Sequence, residues 1–356
     1  NKRIKLIMAY TTINKSSDHF NNLTYTGDAS ATQAQTGLNF SPNLVLIKNR
    51  DGSAEFSQIF DTIRGVTNVM STGNNSTPAD EATTLKSFDS NGFTVGNSGT
   101  VGGSKNYTSW NWKGGTTATN TDGSTTTSVS ANPTSGFSIV SYTGTGSVAT
   151  LGHGLSTAPT TVIIKRLTTG DWIVGSNGMT SWNYVMSLNS GSSEANQVNQ
   201  FNGTAPTTSL VTLGTEGQTN QSGIGFIMYC FSDIAGFSKS GSYVANGNAD
   251  GPFVYTGFKP NLIMMKEQAS GQGWCMKTAS QNNVVDGNVN NYFLQANQDN
   301  IENTSTDSSF GIDMLSNGFK IRNTDGIMNN NGATYWFMAF ADAPLVGSNN
   351  VPANAR

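Results

Sequence analysis

Two histidines, two cysteines and six tryptophans are the side chains of this 356-residue sequence best suited to chemistry, and they are few. A hydrolytic triad needs a histidine held between a nucleophile and an orienting carboxylate. Neither His19 nor His153 has such a motif beside it, and His153, in Gly152-His153-Gly154, reads as a solvent-exposed turn residue. No His-Glu-x-x-His, Cys-x-x-Cys or phosphate loop occurs, and Gly99-Thr100-Val101-Gly102-Gly103 lacks the strand-then-helix frame of a nucleotide site. A glycosidase requires two carboxylates flanking a sugar bond, and spacing singles out no pair among the 22 acidic residues. No catalytic residue, cofactor or metal is expected, and the chain reads as non-enzymatic. Asn246 to Asp250 and Asp286 to Asn291 carry oxygen ligands of the sort calcium takes, yet without an EF-hand pattern they are better explained as turn formers.

Binding is the more promising chemistry. An exposed indole stacks on a sugar or a partner surface, and Trp182, Trp172 and Trp274 lie near polar, glycine-rich segments, so they are the candidate ligand-binding residues. Trp172 and Trp274 recur at one repeat position, where filling a core is the competing role, whereas Trp182 has no counterpart and is expected at the surface. Trp110, Trp112 and Trp336 sit in closing strands. Cys230, inside Tyr229-Cys230-Phe231, is expected as a buried thiol. Cys275 falls in a different repeat, so no disulfide framework is supported.

The elements that position these residues recur. Pro42-Asn43-Leu44-Val45-Leu46-Ile47-Lys48, Pro159-Thr160-Thr161-Val162-Ile163-Ile164-Lys165 and Pro260-Asn261-Leu262-Ile263-Met264-Met265-Lys266 share one pattern, and Tyr25, Tyr142 and Tyr243 precede the three prolines at one distance. A bulky aromatic follows each lysine: Phe56, Trp172, Trp274. An apolar run without alternation predicts a strand covered on both faces, with Leu46, Ile163 and Ile263 at the centre of each unit. Asn91-Gly92 predicts a type I′ hairpin, matched by Asn317-Gly318, while Leu210 to Gly214 stands in its place in the middle unit.

Forty glycines, 12% charged residues and 10% aromatics describe a turn-rich all-β chain and not a disordered one. Strands at short intervals, with no amphipathic helix, predict three tandem β-sandwich, jelly-roll-like repeats. The boundaries are a leader over 1–19, repeat one over 20–115, a Gly/Ser/Thr linker over 116–135, repeat two over 136–236, repeat three over 237–345 and a tail over 346–356. Repeats two and three, joined with almost no linker, are expected to pack together. A net charge of −3 offers no basic face for nucleic acid, and no run of about 20 apolar residues predicts membrane insertion. The basic N-terminus is not followed by the apolar core of a signal peptide, and Met8 stands as a potential start.

Several stretches resemble a structural module of bacteriophage particles. Met8-Ala9-Tyr10-Thr11-Thr12-Ile13-Asn14-Lys15-Ser16-Ser17-Asp18-His19-Phe20 is similar to the start of tail-associated proteins of marine bacteriophages. So are Pro42 to Lys48, Ser87-Phe88-Asp89-Ser90-Asn91-Gly92-Phe93 and Trp110-Asn111-Trp112-Lys113-Gly114-Gly115, with Tyr255-Thr256-Gly257-Phe258-Lys259-Pro260 and Met338-Ala339-Phe340-Ala341 in repeat three. The resemblance implies a lectin-like β-sandwich on the virion surface, extracellular after lysis, and carries no catalytic residues. The function expected is a tail-fibre or receptor-binding component, with other virion proteins and host-surface polysaccharide as partners and a homo-oligomer, most simply a trimer, as its assembly. A capsid decoration or filament subunit, and a bacterial adhesin or carbohydrate-binding module, are the alternatives.

Overall fold

The computed structural model describes residues 11–51, 55–269, 271–281, 288–304 and 308–346. The first strands are β1 (Phe20–Thr26), β2 (Gln33–Thr36), β3 (Leu44–Asn49), β4 (Gln58–Asp61), β5 (Asn68–Ser71), β6 (Ala79–Asp80), β7 (Leu85–Asp89), β8 (Gly92–Val95) and β9 (Asn106–Trp112). They form a sheet of order β1-β9-β3-β4-β5-β6 and a smaller one of order β2-β8-β7. Next come β10 (Thr117–Asn120), β11 (Thr127–Asn132), β12 (Phe137–Thr143), β13 (Ala149–Gly152), β14 (Thr161–Arg166), β15 (Trp172–Ser176), β16 (Tyr184–Ser187), β17 (Ala195–Asn196), β18 (Leu210–Leu213) and β19 (Gly225–Phe231). Their sheets run β10-β11-β12-β19-β14-β15-β16-β17 and β13-β18. The last are β20 (Ser238–Val244), β21 (Phe253–Tyr255), β22 (Phe258–Glu267), β23 (Cys275–Thr278), β24 (Leu294–Gln295), β25 (Ile312–Leu315), β26 (Gly318–Ile321) and β27 (Thr334–Pro344), in sheets β20-β27-β22-β23-β24 and β21-β26-β25.

The chain is an all-β sandwich protein with antiparallel pairing throughout the named strands. In each strand group an outer pair encloses an inner one: β1 with β9 outside β2 with β8, β12 with β19 outside β13 with β18, β20 with β27 outside β21 with β26. This is the nested order of a jelly roll. Among the described residues the α-helices are single turns, Gly217–Asn220 and Gly326–Asn329, capped by Glu216 and Asp325.

The proline-led strands lie inside the large sheets, β3 between β9 and β4, β14 between β19 and β15, β22 between β27 and β23. Period-2 alternation sends their side chains to two different cores. Val45 and Ile47 enter the core between the first pair of sheets, with Phe60, Phe93 and Tyr107. Leu44 and Leu46 point the other way, into a core that also holds Ile163, Tyr229 and Phe231 of the second group and Leu262, Met264 and Phe340 of the third. Both faces are buried, so both parities are apolar, and each such side chain contributes about 1.5–3 kcal/mol by leaving water. The shared core closes on Trp112, Phe231 and Phe340, whose ring centroids lie 6.0, 5.5 and 5.8 Å apart around a triangle. These three residues stand opposite Leu44, Thr161 and Leu262 in their own sheets, at one common register.

Polar bonds link the same edges in a ring. Tyr229 Oη donates to Asp61 Oδ2 at 2.7 Å, Trp110 Nε1 to Thr278 Oγ1 at 2.8 Å and Trp336 Nε1 to Ser176 Oγ at 2.8 Å. Asp61, Ser176 and Thr278 are opposite Leu44, Thr161 and Leu262. The second group therefore donates to the first, the first to the third and the third to the second.

Two expectations are corrected here. The stretch 116–135 is not a free linker, because β10 and β11 lie within it and β11 pairs with β12 from Ser128↔Ser141 to Asn132↔Phe137. β10 is the outer strand of this sheet, and its exposed threonines suit a strand whose backbone needs a partner but whose side chains need little core. The Asn-Gly turn is not type I′ either. Among the described residues Asn91 is not at positive φ, and the loop is Ser90-Asn91, with Gly92 already paired to Asp89. Glycine is required at Gly92 both by its φ of +152° and by a neighbour, since a Cβ there would lie 1.8 Å from the Gln35 carbonyl oxygen, and at Gly318 by a neighbour, since a Cβ there would lie 2.1 Å from that of Val254.

Candidate functional site

All three candidate tryptophans are buried. Trp172 packs in the shared core and donates from Nε1 to the Ser71 carbonyl at 2.9 Å. Trp274 does the same toward the carbonyls of Ser187 at 3.1 Å and Ser190 at 3.0 Å. The polar loops near them in sequence belong to a boundary between strand groups and not to open solvent. Trp182, expected at the surface, is only 6% exposed; it lies edge-on to Phe201 at 5.2 Å and donates to Asn177 Oδ1 at 2.7 Å. None of the three offers a face to a ligand.

The remaining reactive groups are likewise committed. His153, read as an exposed turn residue, is fully buried: its Nε2 lies 3.2 Å from the Thr207 carbonyl and its Nδ1 accepts from Leu155 N at 3.2 Å, which fixes a neutral tautomer. Burial pushes its pKa down, against the pull of the Thr207 carbonyl. His19 sits edge-on to Phe237 at 5.9 Å and is also lowered by burial. Cys230 is a buried free thiol as expected, Cys275 is another, and burial lifts both to about 12, which leaves them unreactive.

Lys48, Lys165 and Lys266 close the proline-led strands, and all three are buried. Each ammonium is tied to main-chain carbonyls, Lys48 to Glu55 and Gln298, Lys165 to Arg166 and Thr168, Lys266 to Glu267. Desolvation brings all three down to about 8. Lys277 is held by the carbonyls of Asn290, Asn291 and Phe310, and burial brings it to about 7. Carboxylates are paired too: Asp61 with Arg64 at 2.5 Å, Glu302 with Arg50 at 2.6 Å.

In the Asn246 to Asp250 loop, Asn248 N donates to Asn246 Oδ1 and Asp250 N to Asn248 Oδ1, while Asp250 meets Lys320 at 2.9 Å and Arg322 at 3.3 Å. Cations already balance its acid, so the turn explanation accounts for this loop. The second such loop, 286–291, falls partly outside the described residues. Among the described residues no cluster of three or more metal-ligating side chains occurs.

One groove of about 260 Å³ differs in character. It runs between β20, the outer strand of the third large sheet, and β21, the outer strand of the third small sheet. Phe253 and Tyr255 line it while 44% and 51% exposed, Tyr243 and Phe337 back it, and Lys239, Ser240 and Ser242 supply polar groups. Lys239 pairs with Asp233 at 3.2 Å, so the rim carries no net charge from this pair. Sequence reasoning missed it by following tryptophan alone; the available signal was Phe253-Val254-Tyr255, two aromatics at strand spacing after Gly251-Pro252.

The architecture places the chain among all-β sandwich proteins. Residues 15–344 match a family described as "Domain of unknown function (DUF7483)", and the chain belongs to it. No curated protein matches the chain.

Proposed function

We propose that this protein is a non-enzymatic surface component of a bacteriophage particle, a tail-fibre or receptor-binding element that contacts host glycans and consists of three tandem copies of one β-sandwich unit. The three proline-led strands at one place in three large sheets support the copies. The observation that carries the functional reading is the division of the chemistry. His153, the thiols, the strand-closing lysines and the candidate tryptophans are buried and mostly bonded to main chain, and His19 is half-buried, whereas two large aromatics line a solvent-facing groove. Such a body holds a surface in place and recognises another. Assembly of several chains on one particle would add avidity to weak single contacts.

Two measurements test this. Gold-labelled antibody against the purified chain should decorate the exterior of intact particles, and the chain should adhere to host cells without releasing reducing sugars from their polysaccharide. Release of reducing ends would make it an enzyme. Attachment to virion proteins alone would make it a decoration or filament subunit.

A further inference from the structure

Trp112 and Phe231 of the aromatic triangle also line an internal cavity of about 40 Å³, whose wall is supplied by all three strand groups. Leu46, Ile163 and Met264, one from each proline-led strand, form part of that wall. Thr72, Leu188 and Ala296 form another part, and they occupy one place in the three groups. Each directly follows β5, β16 or β24 and donates its N–H to the carbonyl of Ser57, Trp172 or Trp274, at 3.0, 2.9 and 2.9 Å. The second group shows that a leucine fits at this place. The threonine and the alanine of the other two groups are smaller, and the space stays open between them.

The lining side chains are all buried, and their polar atoms are engaged away from the cavity. Thr72 Oγ1 donates to the Ala296 carbonyl at 2.6 Å, Tyr229 Oη to Asp61 Oδ2 and Trp172 Nε1 to the Ser71 carbonyl. Trp112 Nε1 is the one lining polar atom without a partner, a single donor where a buried water needs two to four polar contacts. The wall is otherwise apolar, so the site selects against water. Its size is about a quarter of the ~150 Å³ in which an apolar cavity admits benzene. We propose that this cavity is a binding site for one small apolar molecule, an apolar gas such as dioxygen. Because the wall comes from three strand groups, the site exists only while they are packed together, and a guest favours that packed state by mass action. The site stands whether or not the chain contacts host glycans.

The test uses xenon, a monatomic apolar gas, dissolved under pressure with the full chain isotope-labelled at its methionine methyls. Met264 and Met338 line the cavity, so their methyl resonances should shift along a saturating one-site curve. Met314 lies in the separate core of the third group, and its resonance should stay in place. Ala296→Leu repeats in the third group the side chain that Leu188 supplies in the second, and it should weaken xenon binding at least about tenfold. A cooperative melting transition in the variant separates loss of the site from loss of fold. If the leucine prevents folding, Ala296→Val fills part of the same space and should weaken binding in the same direction. Unmoved Met264 and Met338 resonances in wild type, or a shift that grows linearly with pressure and equally at Met314, would overturn the site. Full xenon binding by a folded Ala296 variant would overturn it too, by placing the gas elsewhere.

Discussion

At the scale of single residues, this chain places its ionisable groups where they cost stability unless fully bonded. Lys277 is the clearest case, an amine with three carbonyl acceptors and the Phe293 ring 5.5 Å away, brought by burial from 10.5 to about 7. The unfolded chain holds this proton up to about 10.5 while the folded one gives it up near 7. Between those values the unfolded state binds more protons, so this lysine makes stability rise with pH across that window. The buried thiols act in the opposite sense: ionising at about 9 when unfolded and about 12 when folded, they lower stability as pH climbs past 9. Comparison with Lys277→Met isolates the lysine. The wild-type minus variant difference in urea-unfolding free energy should grow from pH 7 to pH 10, and a flat difference would show that Lys277 keeps its proton in the folded protein. Tyr229→Phe makes a second residue-scale prediction. Removing the donor from the buried Asp61 should cost about 1.5–3 kcal/mol by the same measurement, the range for a hydrogen bond to a charged group.

At the scale of elements, what could be read from sequence depended on whether the local pattern had one structural meaning. The proline-led strands did: runs such as Leu44-Val45-Leu46-Ile47 without alternation had to be covered on both faces, and β3 is buried along its whole length. The pattern does not say which body covers each face, so a core shared by all three large sheets was not legible. Thr127-Ser128-Val129-Ser130-Ala131-Asn132 was ambiguous, because a polar strand and a linker have the same composition, and only pairing with β10 on one side and β12 on the other decides between them. The candidate tryptophans failed for a related reason: a ring beside a polar loop is exposed only if nothing docks on that loop. Gly92 was legible as a glycine held at positive φ, which it is at 152°, but the close approach of β2 that adds to the requirement was not. Gly92→Ala should accordingly force β2 away from β8 and cost about 1–3 kcal/mol, in the range of an overpacked core. A melting temperature unchanged by this substitution would show that the two strands separate without penalty.

At the scale of the whole molecule, the shared core determines how the chain unfolds. Independent beads on a string would each keep a private core and melt separately. Here Leu262, Met264, Trp274, Met276, Trp336, Met338 and Phe340 of the third strand group are buried in one cluster with residues of the other two groups, and detaching that group would expose all of them to water. The ring of bonds from Tyr229, Trp110 and Trp336 would break at two of its three links at the same moment. Burial of about 1.5–3 kcal/mol per large apolar side chain makes the partly detached state several kcal/mol less stable than its private core alone would suggest. Calorimetry of the full chain should therefore give a single transition whose calorimetric and van't Hoff enthalpies agree. Residues 237–345 expressed alone should associate through the uncovered face of β22 and β27, seen as concentration-dependent species in sedimentation. Three resolved transitions, or a monomeric and fully stable fragment, would mean that the three strand groups meet without depending on one another.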